Sequence, residues 1–92
     1  MTNAIVLINV ENYKLQDIAQ KLVDIDEVSE VYSVGGRFDL VAIIRAKTNE
    51  AISDIVTEKF PTIEGIRTTE TLIAFKVFSK HDLERMFAIG VE

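Results

Sequence analysis

Three segments of this chain are apolar on both sides of an extended backbone, a pattern that a single sheet with one wet face cannot use. In Phe38–Ala46 (FDLVAIIRA), Phe38, Leu40, Ala42 and Ile44 point one way while Val41 and Ile43 point the other. In Ile66–Phe78 (IRTTETLIAFKVF), Leu72 and Ala74 share one side, and Ile73, Phe75 and Val77 share the opposite one. The run Ala4–Val10 (AIVLINV) is short, rich in β-branched residues and apolar on both faces, which marks it as a strand. An antiparallel sheet with one solvated face alternates apolar and polar residues. These strands do not alternate. With 48% of 92 residues in the AVILMFWYC class, the chain holds more apolar material than one small core needs.

The remaining elements follow from periodicity and punctuation. Leu15, Ile18, Ala19 and Leu22 recur at helical spacing, with Asn12 as the expected N-cap. Val28–Val34 (VSEVYSV) reads as a strand that ends at Gly35-Gly36 and forms a hairpin with Phe38–Ala46. Thr48 or Asn49 caps a second helix with the stripe Ile52, Ile55, Val56 and Phe60, and Pro61 is expected to stop it. The order is β-α-β-β-α-β. This is the ferredoxin-like α+β pattern, a four-stranded antiparallel sheet with both helices on one face. Residues 1–79 form this domain; the tail, 80–92, is expected to pack on it or on a neighbouring subunit, with a short helical turn around His81–Phe87.

Two helices cover one face only, so the second apolar face needs a cover from outside the chain. Leaving about six large side chains in water forgoes roughly 1.5–3 kcal/mol each, and a contiguous patch of that kind marks an association surface. A second copy is the economical cover, giving a homodimer in which two sheets meet as an α+β barrel.

Several function classes are excluded. No apolar run approaches the roughly 18 residues needed to cross a bilayer, and the start, MTNAIVLINVENYK, lacks the basic region of a signal peptide. Zero cysteines remove disulfide scaffolds, thiol nucleophiles and thiolate metal sites, and fit a cytoplasmic protein. Ten Lys and Arg against fifteen Asp and Glu leave a net charge of −5 with the cations scattered, the opposite of a basic stripe for nucleic acid. The single histidine, His81, stands beside Asp82, but adjacent residues rarely face one another, and it reads as a surface or interface residue. Asp24, Asp26, Glu27 and Glu30 read as solvated turn charges, and Tyr13 and Tyr32 as half-buried amphipathic residues. No catalytic residue, metal site or cofactor is expected.

The hairpin turn Val34-Gly35-Gly36-Arg37-Phe38-Asp39 gathers two glycines, a cation and a carboxylate. Glycines free the backbone to expose N–H groups to an anion, and Asp39 can accept from an ammonium group, so the turn has the chemistry to hold both charged ends of a free amino acid. The alternative is ordinary hairpin chemistry, in which the glycines make the turn and Asp39 pairs with Arg37 or with a backbone N–H. Thr68, Thr69 and Thr71 add hydroxyls to the last strand, where Thr is also a good strand former.

At these residues the chain resembles the effector-binding domain of the Lrp/AsnC "feast/famine" regulators. Val34, Gly36, Asp39 and Leu40 occupy the family's V-x-G-x-x-D-hydrophobic hairpin pattern, and Ile63–Thr71 (IEGIRTTET) is similar to the segment leading into its last strand. The resemblance runs from Ala4 to Ser79. It implies a sheet-to-sheet dimer assembling into octamers or decamers, and an amino-acid site between neighbouring dimers. That site is implied at Gly35, Gly36, Arg37, Phe38 and Asp39, with hydroxyls from Thr69 and Thr71. Family members typically begin with a winged helix-turn-helix domain, whereas this chain starts at the first strand. The expectation is therefore a stand-alone sensing module that does not itself touch DNA and either co-assembles with full-length relatives or senses a metabolite for another partner. Gly35 departs from the polar residue, such as Thr, found in many relatives. Two other readings share the fold: a small dimeric α+β barrel enzyme of monooxygenase or isomerase type, and a ligand-free assembly partner.

Overall fold

In β1 (Thr2–Val10) every second residue is removed from water: Ala4, Val6, Ile8 and Val10 are all at most 2% exposed. The computed structural model describes residues 1–11 and 14–80. After β1 come α1 (Leu15–Val23), β2 (Val28–Ser33), β3 (Leu40–Ala46), α2 (Asn49–Asp54) and β4 (Ile66–Ala74). The sheet is antiparallel throughout, in the order β2-β3-β1-β4. This is the expected ferredoxin-like arrangement.

The register explains the core. Ala4 faces Ile44 and Val6 faces Ala42, an alanine opposing a larger residue in each pair, while the large Ile8 and Leu40 face each other at the end of the central pair. Ile18 and Leu22 of α1, Ile52 of α2, and Ile55 and Phe60 beyond it cover this layer and are themselves buried. Among the described residues no polar or charged residue is buried.

The other face of the sheet lies open. Ile5 pairs with Ile43 and Leu72, Leu7 with Val41, and Val41 with Tyr32, which places these six side chains in one patch. Leu72 is 44% exposed and Tyr32 49%. The two-faced apolar pattern read from the strands is thus real, and both helices sit on one side.

Element ends differ from expectation for identifiable reasons. β4 stops at Ala74 rather than Phe78, because its last β1 partner is Asn3 and β1 begins only one residue earlier. β2 ends at Ser33 and β3 starts at Leu40, leaving residues 34–39 to the connection. Pro61 does not stop the second helix at once. The helix widens to a π-helical turn (Ile55–Lys59) and closes with a 3-10 turn (Phe60–Thr62) that contains the proline. A proline ring clashes with the carbonyl four residues back in an α-helix, and changing the winding avoids that contact. Thr48 is the cap: its Oγ1 accepts from the Ala51 N–H at 3.1 Å. Lys14 occupies the boundary position of α1. Asn12 and Tyr13, and the tail features at His81–Phe87, lie outside the described residues.

Gly65 locks α1 to the start of β4. Its φ is +104°, in the region that favours glycine, and its carbonyl accepts from the Glu11 N–H at 2.8 Å. A Cβ at this position would lie 2.7 Å from Ile18 Cδ1, inside van der Waals contact. Gly65→Ala should therefore cost roughly 2–4 kcal/mol, backbone strain and overpacking together. A urea midpoint shift at unchanged slope would verify it; an unchanged midpoint would contradict the close approach.

Candidate functional site

The connection between β2 and β3 is held by its last residue. Val34 N–H donates to the Asp39 carbonyl at 3.0 Å, and Asp39 N–H donates to the Ile8 carbonyl at 2.9 Å. The Asp39 carboxylate then accepts from the Val10 N–H at 2.9 Å through Oδ2. Val10 sits where β1 slips register against β4, and such a bulge disrupts the ladder locally. Of the roles open to Asp39, the backbone partnership is therefore the one formed. Arg37 turns instead toward Phe38, with its guanidinium carbon 5.9 Å from the ring centroid.

The glycines divide the work of the turn unequally. Gly36 has φ +121°, a conformation that favours glycine, whereas Gly35 is not in that region. A Cβ on either would meet nothing within 4 Å, so the loop surface is open to an approaching molecule.

The threonines stand on the far side of β1. Ser33, Leu40, Ile8 and Thr69 form one row across the sheet, and Thr71 lies in the next row on the same side, opposite Val6. Two strand spacings, about 10 Å, separate Leu40 beside the loop from Thr69. One chain therefore does not bring residues 35–39 together with Thr69 and Thr71. Thr69 borders a shallow groove with Val56, Phe60, Ile66 and Arg67, and Thr71 borders another with Ile52, Val56 and Ile73. Thr68 faces the opposite way and accepts from Asn9 Nδ2 at 3.2 Å through its hydroxyl.

Sequence reading missed the α2 contribution to the Thr71 groove and the place of Arg67 on the rim of the Thr69 groove. Arg67 falls between the paired residues Ile66 and Thr68 at the β1–β4 irregularity. Nothing in the local sequence announces a bulge, so periodicity alone could not have located it.

Asp39→Ala leaves the part-buried Val10 N–H without its acceptor, and should lower stability by about 1–3 kcal/mol. Asp39→Asn keeps a carbonyl oxygen in place and should recover most of the loss in chemical denaturation. Equal stability of wild type and Asp39→Ala would remove this hydrogen bond from the account.

On the open face the Tyr32 hydroxyl donates to Glu30 Oε2 at 2.6 Å. The hydrogen bond and the carboxylate charge raise the phenol's pKa above its ordinary value. Because folding raises this pKa, the contribution to stability is present below the unfolded value and is lost as pH rises through the folded one. Glu30→Gln should bring the Tyr32 titration down toward the ordinary range in an ultraviolet pH titration, with Tyr32→Phe identifying the signal. No change would show that the bond is absent in solution.

Comparisons with known proteins agree with this architecture. The family description "Lrp/AsnC ligand binding domain" matches residues 3–83. The HTH-type transcriptional regulator FL11 of Pyrococcus furiosus is 38% identical over 74 residues, which are 80% of this chain and 48% of the regulator. The chain thus spans about half the length of the curated relatives it matches. The crystal structure of TTHA0845 from Thermus thermophilus superposes with a TM-score of 0.81 at 39% identity, covering 87% of this chain and all of that one. A feast or famine regulatory protein from M. tuberculosis, complexed with L-methionine, superposes with a TM-score of 0.73 at 26% identity, covering 87% of this chain and 54% of that one.

Proposed function

The chain belongs to the Lrp/AsnC family of transcriptional regulators, and on that premise we propose that it is an amino-acid-sensing module whose ligand site is completed between copies. The observation that carries this reading is the separation of the two polar groups of the site. Residues 35–39 and the hydroxyls of Thr69 and Thr71 lie on opposite sides of β1, so neither group encloses a small molecule alone. In an assembly, the loop of one copy meets the threonine edge of another. Gly36 and its neighbours offer backbone N–H groups to a carboxylate, the second Asp39 oxygen accepts from an ammonium group, and Arg37 and Phe38 flank the ligand. The relative that carries L-methionine supports a free amino acid as the ligand class.

Assembly begins at the open sheet face. The patch of Ile5, Leu7, Val41, Ile43, Leu72 and Tyr32 is apolar at its centre, with Glu30, Glu70 and Arg45 on the same face around it, as expected for a self-complementary interface. A homodimer through this face forms a closed α+β barrel, and dimers associate further into octamers or decamers. Co-assembly with longer relatives, whose matching halves share this fold, would carry the amino-acid signal to DNA without nucleic-acid contact by this domain.

A small barrel enzyme would need polar groups between sheet and helices. Among the described residues that layer has no buried polar side chain, and no cluster of three or more His, Cys, Asp or Glu is placed to hold a metal. No helix of the described residues is long and apolar enough to cross a membrane.

At micromolar concentration the protein should scatter light as a dimer or larger, and Leu72→Asp should shift it toward the 10.3 kDa monomer. A wild-type monomer would overturn the sheet-face reading. In a thermal-shift screen of the twenty amino acids, at least one should raise the melting temperature. A ligand at a hundred times its Kd adds about 2.7 kcal/mol. Because Asp39 also holds the fold, the informative variants are Arg37→Ala and the double substitution Thr69→Val, Thr71→Val. Both should weaken the shift while leaving the unliganded protein folded. A screen with no response would favour a ligand-free assembly partner.

A further inference from the structure

The irregularity between β1 and β4 sets an arginine beside the threonine half of the site. Val10 pairs with Ile66 and Asn9 with Thr68, so Arg67 is the extra residue of a bulge. Thr68 keeps to the open face, bonded to Asn9, while Thr69 pairs with Ile8 on the helix side. Strict alternation backward from Thr69 would put Arg67 on the helix side and turn Ile66 to the open face. The bulge keeps Ile66 against the core as well, so both residues face the helix layer. Both line one groove of about 240 Å³, whose floor is made by the buried Phe60 and Ile63 and whose rim carries Arg67 and Thr69.

The charge of this groove is not matched within the chain. Arg67 is exposed, and among the described residues no carboxylate lies within 4.0 Å of its guanidinium. Glu64 is committed to Lys14 at 3.3 Å, and Glu70 stands on the open face opposite Leu7. When the loop of one copy meets the threonine edge of another, the site holds Arg37 and Asp39 from the first and Arg67 from the second. Two cations and one carboxylate give it a net charge of +1, in a chain that is −5 overall. A zwitterion with an uncharged side chain leaves that excess in place.

We infer that the ligand is an amino acid with an acidic side chain, whose second carboxylate is held by Arg67 and the Thr69 hydroxyl. The inference rests on the sensing function proposed above and names its ligand class. The α-carboxylate and ammonium engage the loop N–H groups and Asp39 of one copy. The side chain then reaches the groove of the other, where its methylene groups pass over an apolar floor and its carboxylate meets the guanidinium. A planar guanidinium can give a carboxylate two parallel N–H bonds, which a side-chain amide or a methyl group cannot accept in the same way. Closing the site around an uncharged side chain would instead remove water from a cation without pairing it, which is costly. The neighbouring Thr71 groove, bordered by Ile52, Val56 and Ile73, has no charged residue in its lining and is the place an apolar side chain would choose.

Isothermal titration calorimetry on the assembled protein, with L-glutamate, L-aspartate, L-glutamine, L-asparagine and L-leucine, distinguishes these ligands. Glutamate or aspartate should bind at least about tenfold more tightly than its own amide, the discrimination expected of hydrogen bonds to a charged group. Arg67→Gln should bring the acid and its amide to similar affinity, and Arg67→Lys, which keeps the charge and loses the fork, should retain part of the difference. The wild-type ratio of acid to amide decides without either variant, should a substitution disturb assembly. An amide or leucine that binds as tightly as the acids, or an acid preference that survives Arg67→Gln, overturns the ligand class and leaves the sensing function standing. Binding confined to other amino acids does the same. No thermal response to any of the twenty amino acids overturns both.

Discussion

The structure depends on β1 having no free edge. Its edges are hydrogen-bonded to β3 and β4, its helix face is sealed by both helices, and its other face carries Ile5 and Leu7 into the open patch. A strand bonded along both edges cannot shift by one residue without turning its whole apolar set the wrong way. That fixes the register of the sheet. The rest of the molecule then takes its position from β1: the β2–β3 connection through the Ile8 carbonyl and the Val10 N–H, and the start of β4 through the Glu11–Gly65 hydrogen bond.

Under the proposed function Asp39 meets two demands. A carboxylate has several lone pairs, and the Val10 N–H uses one of them through Oδ2. The same bond aims the carboxylate and holds the loop around Gly36. An aspartate that orients a binding loop by tying itself to the framework is a preorganised group, and preorganisation lowers the entropy lost on binding. Structural and ligand-facing roles are therefore compatible at this residue, although they cannot be separated by removing it.

Much of the fold could be read from the residues. The helix stripes, the cap at Thr48, the hairpin and the six-element order all reflect local periodicity or turn chemistry, which short segments encode by themselves. The boundaries were less legible. β4 ends where β1 gives out, and that limit belongs to a strand more than sixty residues earlier in the chain. The π-helical turn before Pro61 likewise reflects a compromise between a forbidden ring position and the need to keep Ile55 and Phe60 in the core. The candidate site was legible as residue types. Its geometry was not, because the distance between Asp39 and Thr69 depends on the strand lying between them.

By itself, then, the sequence determined that this chain makes a four-stranded sheet with two helices on one side and an apolar surplus on the other. Alternation of side chains along a strand is a local property, so both faces of Ala4–Val10 and Phe38–Ala46 could be inspected without a structure. Only the tertiary structure decided that Asp39 answers the Val10 N–H, that Gly65 must remain bare against Ile18, and that the loop and the threonines stand on opposite sides of β1. These are contacts between residues distant in sequence. Their geometry is set by strand order and register, which no local pattern records.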